Sequence, residues 1–294
     1  MSFFLALLID GALAGTIYAL IALAFVLVYK TSRMVNFALG EWIMLGAMLA
    51  ATGFHSLGLG LGEALIFAAA GMAVLGVVFN VLILRRLTMR PVISLIMVTL
   101  GLGTLIRGAA ALLFTGVPAG LPLPIPTDQV VVLGTPLAPD KLVAAATAAL
   151  CVAAVGWFAA HSRTGIAWRA IADDPQAASC SGIDLNRHLS LVWALTGVIA
   201  VVAGVLWTFV AGGGFGVALI GLKIFPIVII GGLDSIPGTI VGAMAIGVVE
   251  SLGAGYLDPS VGGGFGNIVS YLLLLAVLIA RPHGLFGQPR VERV

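Results

Sequence analysis

The sequence predicts an all-α integral membrane protein, a polytopic bundle of about 8–9 transmembrane helices. Composition carries the first argument. Only 9% of the 294 residues are charged, against about 25% in an ordinary soluble domain. Hydrophobic residues make up 61% and the mean hydropathy is +1.19. A soluble chain of this size must solvate its surface, and so few charges cannot cover it. The distribution of charge carries the second argument: stretches such as 11–29, 64–84 and 188–222 hold no Asp, Glu, Lys or Arg. The same numbers exclude a soluble enzyme and a disordered chain. A net charge of +2 is too small for a nucleic-acid footprint.

A helix needs about 20 apolar residues to cross a bilayer. Gly, Pro and polar clusters then divide the chain into spans at 8–28, 35–53, 64–84, 92–114, 141–160, 189–210, 217–233, 236–252 and 264–280. The first span is expected to be retained, because Met1–Ile9 has no basic residue and Asp10 interrupts the apolar run. The segments 217–233 and 236–252 are short and are separated only by Leu233-Asp234-Ser235-Ile236-Pro237-Gly238. They read as two crossings or as one re-entrant hairpin buried in protein.

Basic residues set the orientation. Lys30 and Arg33, Arg85, Arg86 and Arg90, Arg163, Arg169 and Arg187, and Arg281, Arg290 and Arg293 all fall on one side. The positive-inside rule makes that side cytoplasmic. The N-terminus is then outside and the C-terminus cytoplasmic, which requires an odd number of crossings. Nine fits, and seven fits if 217–252 is re-entrant. The whole of 1–294 reads as a single transmembrane domain with two notable loops. The external loop 115–140 is Pro-rich and carries the β-branched run Gln129-Val130-Val131-Val132-Leu133-Gly134. It reads as a strand or hairpin, or as a loose connector. The cytoplasmic loop 161–188 is the longest polar stretch of the chain.

That second loop has a local design. Asp174 is placed to cap a helix, and Pro175 suits its first position. Gln176-Ala177-Ala178-Ser179-Cys180-Ser181 can run for about two turns, and Gly182 supplies the positive φ that ends it. Ile166–Ile171 reads as another helical turn on the membrane surface, with Trp168 at the interface. A short rigid helix joined to spans on both sides can pass force from a partner into the bilayer. An ordinary amphipathic connector has the same appearance.

Gln176-Ala177-Ala178-x-x-x-Gly182 resembles the Glu-Ala-Ala-x-x-x-Gly signature of importer permeases of ATP-binding-cassette systems, with Gln in place of Glu and Leu191-Val192-Trp193 where that signature continues as Ile-x-Leu-Pro. Three further segments are similar to branched-chain amino acid permeases of the LivH type. They are Val28–Glu41, Arg169–Asp174 through Gly182-Ile183-Asp184, and Gly231–Ala243. The resemblance covers nearly the whole chain. It implies a permease subunit of an ABC importer in a bacterial inner membrane. It also implies a second homologous permease subunit, two cytoplasmic ATPase subunits and a periplasmic solute-binding protein. The implied solute is small, polar and organic, with branched-chain or other aliphatic amino acids foremost; relatives also serve other amino acids, urea, short amides and aromatic acids. The docking loop that it implies consists of Arg169, Asp173, Asp174, Pro175, Gln176, Ala177, Ala178 and Gly182. No G-x-x-x-x-G-K-[ST] phosphate loop occurs in the chain, so ATP is expected to be bound by partner subunits, with no cofactor in this chain. The rival reading is a self-sufficient facilitative channel or secondary carrier for small amides or urea.

Polar residues inside spans are costly and mark function or packing. Asn36 and Glu41 read as an inner gate, or as a helix cap and a neutraliser of Lys30 or Arg33. Ser94, Thr99 and Thr104 offer hydroxyls to a solute, although span hydroxyls commonly bond their own backbone. Asp10, Glu250 and Arg107 lie near span ends, where one of the two acids is expected to pair with Arg107. Spread glycines such as Gly101, Gly103, Gly204, Gly238 and Gly242 serve close packing or a pathway. The four His show no metal-ligand spacing, and Cys151 and Cys180 read as two unpaired thiols.

Overall fold

The structure is a computed structural model, and it describes residues 2–87, 91–118, 120–122, 130–132 and 135–287. Its helices are α1 Ser2–Ser32, α2 Leu39–His55, α3 Leu61–Leu82, α4 Val92–Leu113, α5 Pro139–His161, α6 Arg163–Asp173, α7 Pro175–Cys180, α8 Leu185–Ala211, α9 Ile220–Gly231, α10 Ile236–Tyr256, α11 Asp258–Val261 and α12 Phe265–Ala280. Each apolar segment read from the sequence contains a helix, although α2 starts four residues after the expected 35 and α9 covers only 220–231 of the expected 217–233. Seven helical segments among the described residues are long and apolar enough to cross a membrane. α2 and α12, with 17 and 16 residues, are shorter than the seven. Unbroken apolar helices satisfy every backbone donor and acceptor within the segment, as hydrocarbon demands. Apolar side chains stand open to the surroundings on α4, α5 and α12, with Leu112 83%, Leu150 71% and Ile279 78% exposed. That much exposed hydrocarbon suits lipid and does not suit water.

The loop between α4 and α5 contains the hairpin that the Val run anticipated. β1 Val130–Val132 pairs antiparallel with β2 Thr135–Leu137, with Val130 opposite Leu137 and Val132 opposite Thr135. The expected strand residues Gln129, Leu133 and Gly134 lie outside the described residues.

The chain divides into two compact units. One comprises Met1–Val26, Pro124–Leu150 and Lys223–Val294. In it α10 lies on the first turns of α1 with almost no side chain between them. A Cβ on Gly15 would lie 3.0 Å from Met244 Cα, and one on Gly11 2.7 Å from Val248 Cα. The turn after α9 is equally tight. Gly232 adopts φ +97°, Ser235 caps α10 by accepting from Gly238 N at 3.1 Å, and Leu285 N donates to Ile230 O at 2.8 Å. Each of these residues covers a free terminal group of α9 or α10, which gives the Gly231–Gly238 segment a physical reason for its composition.

The other unit comprises Leu27–Leu123 and Cys151–Leu222. Its core is an aromatic triad across three helices: Trp193 on α8 lies 4.9 Å from Phe79 on α3 and 5.4 Å from Trp42 on α2. Glycines allow those helices to close on the triad. A Cβ on Gly197 would stand 2.5 Å from Met72 O, and one on Gly46 2.9 Å from Val201 Cα. Small residues at such crossings trade side-chain volume for backbone contact. Gly204, Gly238 and Gly242 are packing glycines of the same kind, whereas Gly101 has open space around it.

Candidate functional site

Two features of this second unit concern function. The first is the 161–188 segment. Ser162 caps α6 by accepting from Gly165 N at 2.9 Å. Asp174 Oδ1 accepts from Gln176 N at 2.8 Å and Ala177 N at 3.0 Å, with Pro175 at the first position of α7. Ile183 N then donates to Ala178 O and Gly182 N to Ser179 O, with Gly182 at φ +85°. This is a Schellman closure, which requires a left-handed residue after the helix. Asp184 caps α8 by accepting from Arg187 N. Three helices thus follow one another with every junction fixed. Asp173, Pro175, Gln176, Ala177, Ser179 and Cys180 are exposed, and Ala178 is buried.

Arg169 stands apart from the other predicted loop residues. Its guanidinium donates to Ala159 O at 2.6 Å and Ala160 O at 3.1 Å. It neutralises the carbonyl end of α5 and so fastens α6 to that span. Trp168 is buried against Phe158, with ring centroids 5.8 Å apart, so its ring meets protein instead of the surroundings. It belongs to the inward face of an amphipathic α6, which a helical turn read in isolation does not reveal.

The second feature starts at the end of α1. Arg33 takes the left-handed conformation, φ 54°, and its Nη2 donates to Ala172 O of α6 at 3.0 Å. The chain then runs without regular structure to Leu39. Phe37 N donates to Thr99 Oγ1 at 3.3 Å, and Thr99 Oγ1 donates in turn to Ile96 O at 2.9 Å. Thr99 is fully buried, so its hydroxyl holds the connector and is spent on backbone. Asn36 is buried; its Oδ1 accepts from Ala38 N at 3.0 Å, and its Nδ2 has no partner. Asn36 therefore braces the residue before α2, whose own N-cap Ala38 offers no side chain. Ser94 is half-buried in the first turn of α4, five residues from Thr99.

Glu41 pairs with neither Lys30 nor Arg33. Its Oε1 receives Arg107 Nη2 of α4 at 3.0 Å. Gly103 makes room: a Cβ there would lie 3.2 Å from Glu41 Oε2. The pair lines a cavity of about 280 Å³ together with Phe37, Leu100, Gly103 and Thr104. Of the four polar residues singled out for a gate, the structure brings Glu41 to a cavity and leaves Asn36, Ser94 and Thr99 outside its lining. Arg107, which the sequence puts near a span end, and Gly103, which it assigns to close packing or a pathway, complete the site.

The acids near span ends find lysines instead of Arg107. Lys141 Nζ meets Asp10 Oδ1 at 2.6 Å. Lys223 is bonded to Glu250, which also accepts from Tyr18 at 2.9 Å. Among the described residues, no three metal-ligating side chains come together, and Cys151 and Cys180 are free thiols.

Residues 7–280 match the family model described as "Branched-chain amino acid transport system / permease component". The high-affinity branched-chain amino acid transport system permease protein LivH of Escherichia coli strain K12 is 30% identical over 312 residues, covering 99% of this chain and 98% of that one. The permease protein BraD of Pseudomonas aeruginosa is 30% identical over 303 residues, covering 98% and 97%. A solved structure, PsaBC from Streptococcus pneumoniae in complex with Fab, covers 95% of this chain and 94% of its own at TM-score 0.50 and 15% identity, a likeness of fold. The chain is a multi-pass membrane protein that belongs to the branched-chain amino acid transport system permease family.

Proposed function

We propose that the chain is a transmembrane subunit of an ATP-binding-cassette importer in a bacterial inner membrane, its 294 residues acting as one transport unit with the N-terminus outside and the C-terminus cytoplasmic. The solute is a branched-chain or other aliphatic amino acid. A second homologous permease subunit completes the pathway, two cytoplasmic ATPases drive it, and a periplasmic binding protein delivers the solute. ATP is bound by the ATPases and the chain needs no cofactor of its own.

The observation that carries this reading is α7, a six-residue helix with both ends capped and its Gln176, Ala177, Ser179 and Cys180 face exposed. Floppy loops absorb displacement; a helix fixed at Asp174 and Gly182 and tied through α6 to α5 by Arg169 transmits it. Asp173, Asp174, Pro175, Gln176, Ala177, Ala178 and Gly182 form the ATPase-docking segment, and Arg169 positions it. Movement of α6 reaches α4 through the Arg33–Ala172 bond and the Phe37–Thr99 bond. Rigid-body transfer of this kind is how packed helices switch access.

The test is affinity purification of the tagged chain from native membranes in mild detergent, followed by mass spectrometry. Co-purification of a second permease and P-loop ATPases is expected. A stable assembly of this chain alone would contradict the proposal.

A further inference from the structure

The face shared by α2 and α4 combines charge, space and exposure.

This face borders two cavities in succession. Leu100, Gly103 with its neighbour Thr104, Arg107, Ala111 and the C-cap Phe114 follow at three- or four-residue steps and therefore share one face of α4 and its end. The first four face the charged cavity beside Glu41. The last two line a second cavity of about 370 Å³ with Ala47, Met48 and Ala51 of α2. Glu41 and Met48 are seven residues apart on α2, or about 10 Å. A carboxylate and a guanidinium thus stand about one turn along α4 from the lining of an apolar chamber, Arg107 being four residues before Ala111. Arg107 is 49% exposed in its side chain and Glu41 16%. A half-exposed guanidinium on an apolar helix needs a polar medium or a polar visitor, because lipid solvates neither charge.

We infer that Glu41 and Arg107 form the station that reads the zwitterionic head of an α-amino acid, with the Ala47–Met48–Ala111 chamber receiving its aliphatic side chain. The inference rests on the proposed import of amino acids and names the residues that select among solutes. A zwitterion can enter by exchange: its carboxylate replaces Glu41 on Arg107, and its ammonium replaces Arg107 on Glu41. Each charge then keeps a partner throughout, and the net charge of the site stays zero. Arg suits the carboxylate because its fork binds both oxygens. A neutral amide offers no such exchange: the pair stays closed to it, or opens only at the cost of leaving both ions without a counter-charge. Gly103 matters as the gap that admits the head group beside Glu41.

The experiment is ATP-driven uptake of radiolabelled leucine by proteoliposomes containing the complete importer and its binding protein, normalised to assembled complex. Glu41→Gln and Arg107→Gln are each expected to lower uptake at least tenfold. The double exchange Glu41→Arg with Arg107→Glu keeps an ion pair but reverses the orientation of the bound head relative to the apolar chamber. It is expected to assemble with the ATPases yet transport leucine at less than a tenth of the wild-type rate. Gly103→Leu, which keeps both charges and fills the gap, is expected to do the same. Uptake above half the wild-type rate in either Gln variant or in the double exchange would overturn the inference and leave the importer reading intact. Wild-type complex that moves no aliphatic amino acid would overturn the importer reading for this solute class, and this inference with it.

Discussion

The two units each hold an ion pair among apolar helices, and the two pairs are built differently. In the first unit Glu250 receives Lys223 and Tyr18, and the lysine ammonium stands 5.9 Å from the Tyr18 ring centroid. Tyr18 is 4% exposed, and Lys223 keeps 28% of its side chain exposed against 49% for Arg107, so the cluster is the more closed of the two. In the second unit Glu41 and Arg107 border open space of about 280 Å³. One constellation satisfies itself and holds helices together; the other leaves a guanidinium available. The two carboxylates are buried alike, at 16% and 15% exposure, so the exposure of the cation and the third partner decide which pair is structural.

The largest expected effect breaks the closed pair. Glu250→Gln leaves Lys223 without its counter-ion; breaking a fully buried pair costs about 3–5 kcal/mol, and this partly buried one, with side chains 28% and 15% exposed, is expected to cost about 2–3 kcal/mol. Thermal unfolding in detergent and the amount of protein in the membrane report it. Glu41→Gln is expected to cost less, about 1 kcal/mol, because the cation it releases, Arg107, is 49% exposed, while lowering uptake at least tenfold. Equal losses of stability in the two variants would erase the distinction drawn here.

Tyr18→Phe sharpens the comparison. It removes one hydrogen bond to a charged acceptor, worth about 1.5–3 kcal/mol, and leaves the ion pair. A melting temperature below wild type with normal uptake per folded molecule is expected. Gly182→Val separates the docking segment from both pairs. The left-handed conformation costs a β-branched residue about 1–2 kcal/mol, paid locally where α7 joins α8. Insertion and both ion pairs are expected to persist, while ATP hydrolysis no longer drives uptake. Normal coupled uptake by this variant would remove α7 from the mechanism. The smallest effect is a labelling rate. With Cys151→Ala as background, exposed Cys180 is expected to react readily with a polar maleimide, and more slowly once ATPase subunits are bound. An unchanged rate would place docking elsewhere.

Much of this fold is legible in the sequence because its rules are local. Charge-free stretches mark helices, Asp174-Pro175 marks a start, Gly182 marks a stop, and the Val130–Val132 run marks a strand. The pairing of Glu41 with Arg107 is not local. Counting along a helix from Pro91 puts Arg107 about 24 Å away, toward the outer boundary, while Glu41 follows the basic Lys30 and Arg33. The two meet because the chain from Arg33 to Ala38 is irregular and rises along α4 as far as Thr99 before α2 begins. Helical counting assumes a turn at the membrane surface and cannot show a connector that runs inside the protein. Trp168 failed for a related reason: an amphipathic pattern shows that one face is apolar and leaves open whether lipid or Phe158 covers it.

The central claim is that this chain moves solute only when a separate ATPase moves it. The most direct measurement is leucine flux into vesicles carrying the purified chain, compared with and without its ATPases, binding protein and ATP. Flux is expected only in the complete, ATP-supplied vesicles. Equal flux of leucine, or of a small amide, through the chain alone and without ATP would contradict it.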